Sequence, residues 1–242
     1  MNKKVIYTAI FGKYDVLHEP EFIPKGFDFV CFTDMDLESK TWDIRKVQPV
    51  HEDPMRSAKI YKILPHEYLP EYEYSIWADG NMLLRGDANE LIDKYLNDVN
   101  IAMYDHSQTK MDSRNSVYEE GEMLFKREKE GKRKDDPELI KKQLERYKQE
   151  GYKGDNGLIS GMIIVRRHNA LDVIDAMEAW WNEIEDNSKR DQLSFNYIAW
   201  KKNLNFVYVE GDSRDNRYFL WLPHGKKEKP TIFGRIKRKL DI

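Results

Sequence analysis

Residues 74 to 84 read YSIWADGNMLL, an apolar, β-prone run that stops at Asp79-Gly80-Asn81 and turns apolar again at Met82. A short run of aromatic and β-branched residues bounded by Asp, Gly and Asn reads as a buried strand with its end marked. In open parallel sheets ligands gather beyond the carboxyl ends of the strands, so this reading puts Asp79 at a ligand edge. Gly80 lets the chain turn there at the least steric cost. The triplet then has two readings: a polar turn, or two oxygen donors for a hard cation such as Mg²⁺ or Mn²⁺.

Working outward, KVIYTAIF, FDFVCFT, NIAMYDH, LISGMIIVRR and LNFVYVEG look like further strands, and helical patterns lie between them. The alternation predicts an α/β domain with a mostly parallel central sheet flanked by helices. The best-marked helix has Asp136 as cap, Pro137 at its first position, Ile140, Leu144 and Tyr147 on one face and Gly151 at its end. In ALDVIDAMEAWWNEIED, Ile174, Met177, Trp181 and Ile184 follow the helical period, with Asn169 as the expected N-cap. Trp180 and Trp181 read as core. Residues 112 to 150 are charge-rich, and the run reads as a solvated helical face with a break, or as an excursion over a ligand site.

The 242 residues suit one domain, expected over 1–230, with a basic amphipathic tail at 231–242. Forty basic and 43 acidic residues leave a net charge of −3, so no global field recruits nucleic acid and any anion site is local. The lone Cys31 sits in an apolar run and predicts core packing in a reducing compartment. MNKKVIYTAIFGKYD lacks the apolar core of a signal peptide, and no run reaches bilayer-spanning length, so the expected location is cytoplasmic. The tail mixes Ile232, Phe233, Ile236 and Leu240 with Arg235, Lys237, Arg238 and Lys239. It reads equally as a frayed terminus or as a short helix on the inner face of an anionic membrane.

Other residues join the candidate site. His224, in WLPHGKKEKP, is a reasonable third ligand for Mn²⁺, and the lysines after it suit a diphosphate. Arg56 and Lys59 fall on one helical face where cations could hold phosphate oxygens, whereas Lys62 reads as a solvated surface lysine. Arg190, Asp191 and Gln192 stand at the start of a helix, where an acidic group could serve as a cap.

Taken in order, YTAIFGKYD, the stretch ending in WADGNMLL, DHSQTKMDSRNSVYEEGE, QLERYKQEGY, GLISGMIIVRRHN, WWNEI and RDQLSFNYIAW resemble a glycosyltransferase-like family of bacteria and of plant proteins linked to mucilage and pectin. The likeness covers nearly the whole chain, and WADGN and RDQLSF are its most specific parts. That family is similar in turn to retaining family 8 enzymes of the GT-A fold, such as glycogenin. The resemblance implies a GT-A-like single domain that moves a sugar from a nucleotide-sugar donor, a UDP-hexose, to a glycan or glycolipid acceptor. It also implies Mn²⁺ or Mg²⁺ held by Asp79, Asn81 and His224, with Asn81 standing where those enzymes carry a second Asp and the histidine motif compressed to HGKKEKP.

By position, the resemblance places Thr8, Ala9 and Phe11 near uracil or ribose, with Tyr14 and Asp15 close by. Asp191 and Gln192 match the place beside the anomeric carbon, where either could stabilise an oxocarbenium-like transition state or orient the donor. Asp155 reads as a sugar ligand or a turn residue, and His106, with Arg114 and Glu119, as an acceptor contact or a structural histidine. Two rival functions remain: a metal-dependent hydrolase, and a non-catalytic nucleotide-sugar or glycan-binding module. No H-E-x-x-H and no histidine cluster supports the first.

Overall fold

In the computed structural model, which describes residues 3–225, strands and helices alternate along the chain. They run β1 (Lys4–Ile10), β2 (Phe27–Thr33), β3 (Asp43–Lys46), α1 (Pro54–Ile63), α2 (Pro65–Tyr68), β4 (Tyr74–Ala78), β5 (Met82–Leu84), α3 (Asn89–Tyr95) and β6 (Ile101–Asp105). Then come α4 (Val117–Lys129), α5 (Pro137–Gln149), β7 (Ile159–Arg166), α6 (Leu171–Asp186), α7 (Phe195–Lys202), β8 (Val207–Val209) and β9 (Phe219–Trp221). Seven strands form one sheet in the order β3-β2-β1-β4-β7-β6-β8. Only β7 runs against its neighbours β4 and β6, so the sheet is mostly parallel, as the alternation predicts.

Strand alternation gives the sheet two apolar faces. Val5, Tyr7, Ala9 and Trp77 pack with Tyr147, Trp180 and Phe195 from the helices on one side, while Ile6, Ile10 and Ile76 pack with Leu91, Met82 and Phe219 on the other. Cys31 is fully buried, and burial pushes its thiol up to about 12, which suits packing.

Helix boundaries follow local chemistry. Asp136 accepts from Glu138 N at 3.0 Å to cap α5, and Gly151 ends it at φ 89°. The charge-rich run is two helices, α4 and α5, packed so closely that a Cβ on Gly121 would collide with Leu144. Asn169 is not the cap of α6, because Ala170 holds that position without a side-chain bond. The Asn169 amide instead donates to the carbonyls of Pro70 and Tyr72, tying the helix start to the loop before β4. The sequence reading missed β3, β5 and β9, which are three or four residues long. The apolar return after Asn81 is β5, which pairs antiparallel with β9 through Met82–Trp221, Leu83–Leu220 and Leu84–Phe219. Among the described residues no helix is long and apolar enough to cross a membrane, and the tail at 231–242 lies outside them.

Candidate active site

Because β1 and β4 are parallel neighbours, Phe11 and Asp79 leave the sheet at the same edge, at the mouth of a cavity of about 900 Å³. Asp79 is held at three points. Its N–H donates to Met162 O at 2.9 Å, and its Oδ1 accepts from Trp77 Nε1 at 2.7 Å and from Lys62 Nζ at 3.2 Å. Trp77 can reach it because residues two apart on a strand share a face.

Lys62 is not a solvated lysine. It is 3% exposed, and its ammonium lies between two carboxylates, 2.6 Å from Asp191 Oδ2 as well as beside Asp79. Lys59 Nζ stands 2.9 Å from Asp191 Oδ1, so Asp191 carries a lysine on each oxygen. Burial alone would raise the Asp191 pKa, but Lys59, Lys62 and Arg190 together outweigh it and hold the carboxyl below the usual carboxylate range. Burial brings Lys59 down to about 8 despite Asp191, with Lys62 and Arg190 adding repulsion, whereas the two carboxylates beside Lys62 overcome burial and raise it.

The surroundings fix this ladder of charge. Tyr7 Oη donates to the Lys62 carbonyl at 3.0 Å, and the fully buried Arg166 donates to both. Trp180 Nε1 donates to Ser194 Oγ at 3.0 Å and to the Asp191 carbonyl at 3.3 Å, anchoring the 3₁₀ turn Asp191–Leu193. The Asp191 side chain caps no helix. A Cβ on Gly161 would stand 3.1 Å from Asp191 Oδ2 and 3.3 Å from Lys62 Nζ, so any larger residue in β7 there would press on this ion pair. Gly80 also serves close approach rather than an unusual backbone angle. It does not adopt a positive φ, and a Cβ would come within 2.8 Å of Ile10 Cγ1.

The cavity gathers Ala9, Phe11, Tyr14 and Asp15 from the β1 edge, Lys59 from α1, and Asp79, Gly80 and Asn81. Asp191, Gln192 and His224 close it from the other end of the chain. Three expected donor residues lie elsewhere. Thr8 is 2% exposed, on the opposite strand face from Ala9. Arg56 donates to the carbonyls of Ile184, Glu185 and Asn187, capping the C-terminus of α6. Asp155 is exposed in a loop whose Gly154 and Gly157 have positive φ, the turn reading. His106 is 3% exposed and bonded to Arg114, which donates to the buried Glu120, so it is a structural histidine.

Sequence reasoning gave Trp77 no part in the site and Arg190 none beyond a place at the start of a helix. Arg190 borders the cavity, with Nη2 3.5 Å from Glu120 Oε1 and 3.4 Å from Gln192 Oε1. Gln192 Nε2 donates to the Ile159 carbonyl at 3.1 Å, which locks its side chain to the start of β7.

A divalent cation finds part of its expected ligand set. Asn81 is 3% exposed and donates its amide N–H to the Leu222 carbonyl at 2.9 Å, which clasps the segment after β9 and fixes the side chain, while its Oδ1, the atom a cation would take, has no hydrogen-bond partner among the described residues. Asp79 Oδ2 and His224 Nε2 have no partner among the described residues. His224 Nδ1 lies 2.8 Å from Asp15 Oδ1, and a proton held there leaves Nε2 as the neutral donor a metal takes. No group of three or more His, Cys, Asp or Glu among the described residues could hold a metal unaided. The arrangement fits a cation that arrives with a ligand's own oxygens, in the manner of Mg²⁺ on a diphosphate.

A family model described as the TOD1/MUCI70 glycosyltransferase-like domain matches residues 1–210. The chain is 26% identical over 225 residues to the Arabidopsis thaliana protein named "Probable hexosyltransferase MUCI70", a match spanning 81% of this chain and 37% of that protein. The chain therefore spans well under half the length of that relative. Solved structures similar to it include the apo form of mouse xyloside xylosyltransferase 1, with a TM-score of 0.49 and 10% identity over 87% of this chain and 86% of the other. Another is the apo WbbM bifunctional glycosyltransferase, with a TM-score of 0.47 and 10% identity over 86% of this chain and 38% of the other. With its family model covering most of its length, the chain belongs to the TOD1/MUCI70 glycosyltransferase-like domain family.

Proposed function

We propose that the chain transfers a hexose from a nucleoside diphosphate donor, a UDP-hexose, to a glycan or lipid-linked acceptor, with retention at the anomeric carbon. The observation that carries this reading is the buried ladder Asp79–Lys62–Asp191–Lys59 at the carboxyl edge of β4. Expulsion of a nucleoside diphosphate builds negative charge on the leaving group and positive charge on the sugar, and a site with fixed groups of both signs stabilises both. Lys59 and Lys62 supply cations for the diphosphate. Asp191, kept ionised by its neighbours, stands beside the developing positive charge, and the half-exposed Tyr14 offers a ring face to the base, whereas Phe11, 2% exposed and stacked on Tyr61, backs the site from the core.

Asp79 and His224 would hold Mn²⁺ or Mg²⁺ together with the diphosphate; when bound, the ion adds neutralisation of the leaving group. A general base must titrate near working pH, and Asp191 is pinned far below it, which counts against water activation by a hydrolase. Titration calorimetry with UDP, GDP, CDP and dTDP, each with Mn²⁺ or EDTA, tests the reading on the chain and on Asp79→Ala. The expected result is selective UDP binding, strengthened by Mn²⁺ and weakened in the variant. Silence with every nucleotide sinks the donor site, and UDP binding without turnover of any UDP-hexose favours the binding module.

A further inference from the structure

The ladder is neutral as a whole, because its two lysines and two aspartates cancel. The diphosphate of a nucleotide sugar is a dianion, so a site that holds it needs positive charge beyond the ladder. Arg190 and Lys134, both on the cavity wall, supply it. Arg190 adjoins Asp191, and its charge acts on Lys59, on Lys134 and on Tyr14 at the β1 edge. Its contacts are long, 3.5 Å to Glu120 Oε1 and 3.4 Å to Gln192 Oε1, and its buried Nε has no hydrogen-bond partner among the described residues. Glu120 and Asp112 are already matched by Arg114 and Arg127. The Lys134 ammonium, which comes from the loop between α4 and α5, has no carboxylate partner among the described residues, and the charges that act on it are the cations Arg190 and Arg127.

The fold holds these cations together against their repulsion. Asp135, next to Lys134, accepts from Ser188 Oγ and from Lys189 N, both at 2.7 Å on Oδ2, and Ser188 is fully buried. Lys189 Nζ stands 2.5 Å from Asp53 Oδ2, and Asp53 Oδ1 caps α1 by accepting from Met55 N at 2.9 Å. The loop carrying Lys134, the segment carrying Arg190 and the helix carrying Lys59 and Lys62 are thus tied into one frame. Asp135 spends its carboxylate on that tie and leaves Lys134 charged and unmatched, the arrangement expected where the missing anion is a ligand.

We propose that Arg190 and Lys134 seat the donor's diphosphate together with Lys59, and that Asp135 positions Lys134 for it. An arginine fork matches two phosphate oxygens, and lysine serves as a point charge beside it. The inference deepens the transferase reading and rests on it. It also implies that UDP binds with divalent cations chelated, Mn²⁺ adding to an affinity that the side chains already give.

The test is calorimetry on the full chain with uridine, UMP, UDP and inorganic pyrophosphate, each in EDTA and in Mn²⁺. The variants are Lys134→Gln, Arg190→Gln, Arg190→Lys, Asp135→Ala and Asp135→Ala/Lys134→Gln, with fold checked by circular dichroism. Lys134 is exposed on its loop, so its variant keeps the fold, and Arg190→Lys keeps a charge beside Glu120. UDP is expected to bind in EDTA, about 10-fold more weakly in Arg190→Gln and about 3-fold more weakly in Lys134→Gln, the usual strengths of a charge-assisted bond and of an exposed charge contact. Arg190→Lys should recover part of its loss, and uridine should bind alike to all. Asp135→Ala should match Lys134→Gln and add nothing to it in the double variant; additive losses would remove its positioning role. UDP affinity unchanged in Arg190→Gln and Lys134→Gln, uridine affinity falling as far as that of UDP, or UDP binding that requires Mn²⁺ overturns the proposal and leaves the transferase reading standing. Silence of UDP in both conditions removes the two together.

Discussion

Lys62→Met removes the ammonium that bridges Asp79 and Asp191 and keeps most of the aliphatic stem. Taking one partner from a buried ion pair costs about 3–5 kcal/mol when the other charge is stranded. Lys62 is 3% exposed, which places it in that regime. Two features put the cost at the low end: Lys59 remains 2.9 Å from Asp191, and the Asp79 side chain, 35% exposed, can be hydrated. The expected loss is about 3 kcal/mol, or a Tm lower by roughly 6–12 °C for a domain of this size. Asp191→Asn should cost a similar amount by stranding Lys59 and Lys62. The double variant removes charges of both signs and should lose less than the sum of the singles, with a coupling of about 1.5 kcal/mol or more. Urea denaturation of the four proteins, read by tryptophan fluorescence, measures the cycle. Additivity within about 0.5 kcal/mol would refute the buried ladder.

Asn81→Asp restores an Asp-x-Asp pattern, but it sets a carboxylate oxygen against the Leu222 carbonyl where the amide now donates. It should cost about 1–3 kcal/mol by denaturation, with no gain in Mn²⁺ affinity by calorimetry; a stable variant with tighter Mn²⁺ binding would contradict the clasp. Lys59, at about 8 in the free protein, is protonated below that pH and neutral above it, and a bound diphosphate favours the charged form. UDP binding should therefore take up protons near pH 8, with an enthalpy that depends on buffer ionisation, and affinity should fall as pH rises past 8, both effects being lost in Lys59→Arg; a buffer-independent enthalpy at pH 8 would rule this out.

Much of the frame was legible in order along the chain, because strands, caps and sheet edges are written locally. The Asp136 cap with Pro137, the apolar run ending at Asp79 and the alternation of six strands with helices all follow from short-range periodicity and terminal chemistry. The same logic put Asp79 at the sheet edge, and the family resemblance added Phe11 and Asp191, which line the same cavity. Asn169 and Arg56 were misplaced because a local role competes with partners that sequence spacing does not reveal. Asn169 bonds to carbonyls 97 and 99 residues away, and Arg56 to the end of α6.

What the sequence by itself determined is the order of elements, the mostly parallel sheet and the edge where Asp79 emerges, since each depends on residues within a turn or a strand of one another. Tertiary structure alone decided that Lys62 is buried, that Asp191 carries a lysine on each oxygen, and that Gly80 and Gly161 answer to close approach. The reason is electrostatic and steric. Lys62 and Asp191 are 129 residues apart, and whether a charge is solvated or paired depends on which distant groups the fold brings within about 3 Å, where an ion pair holds.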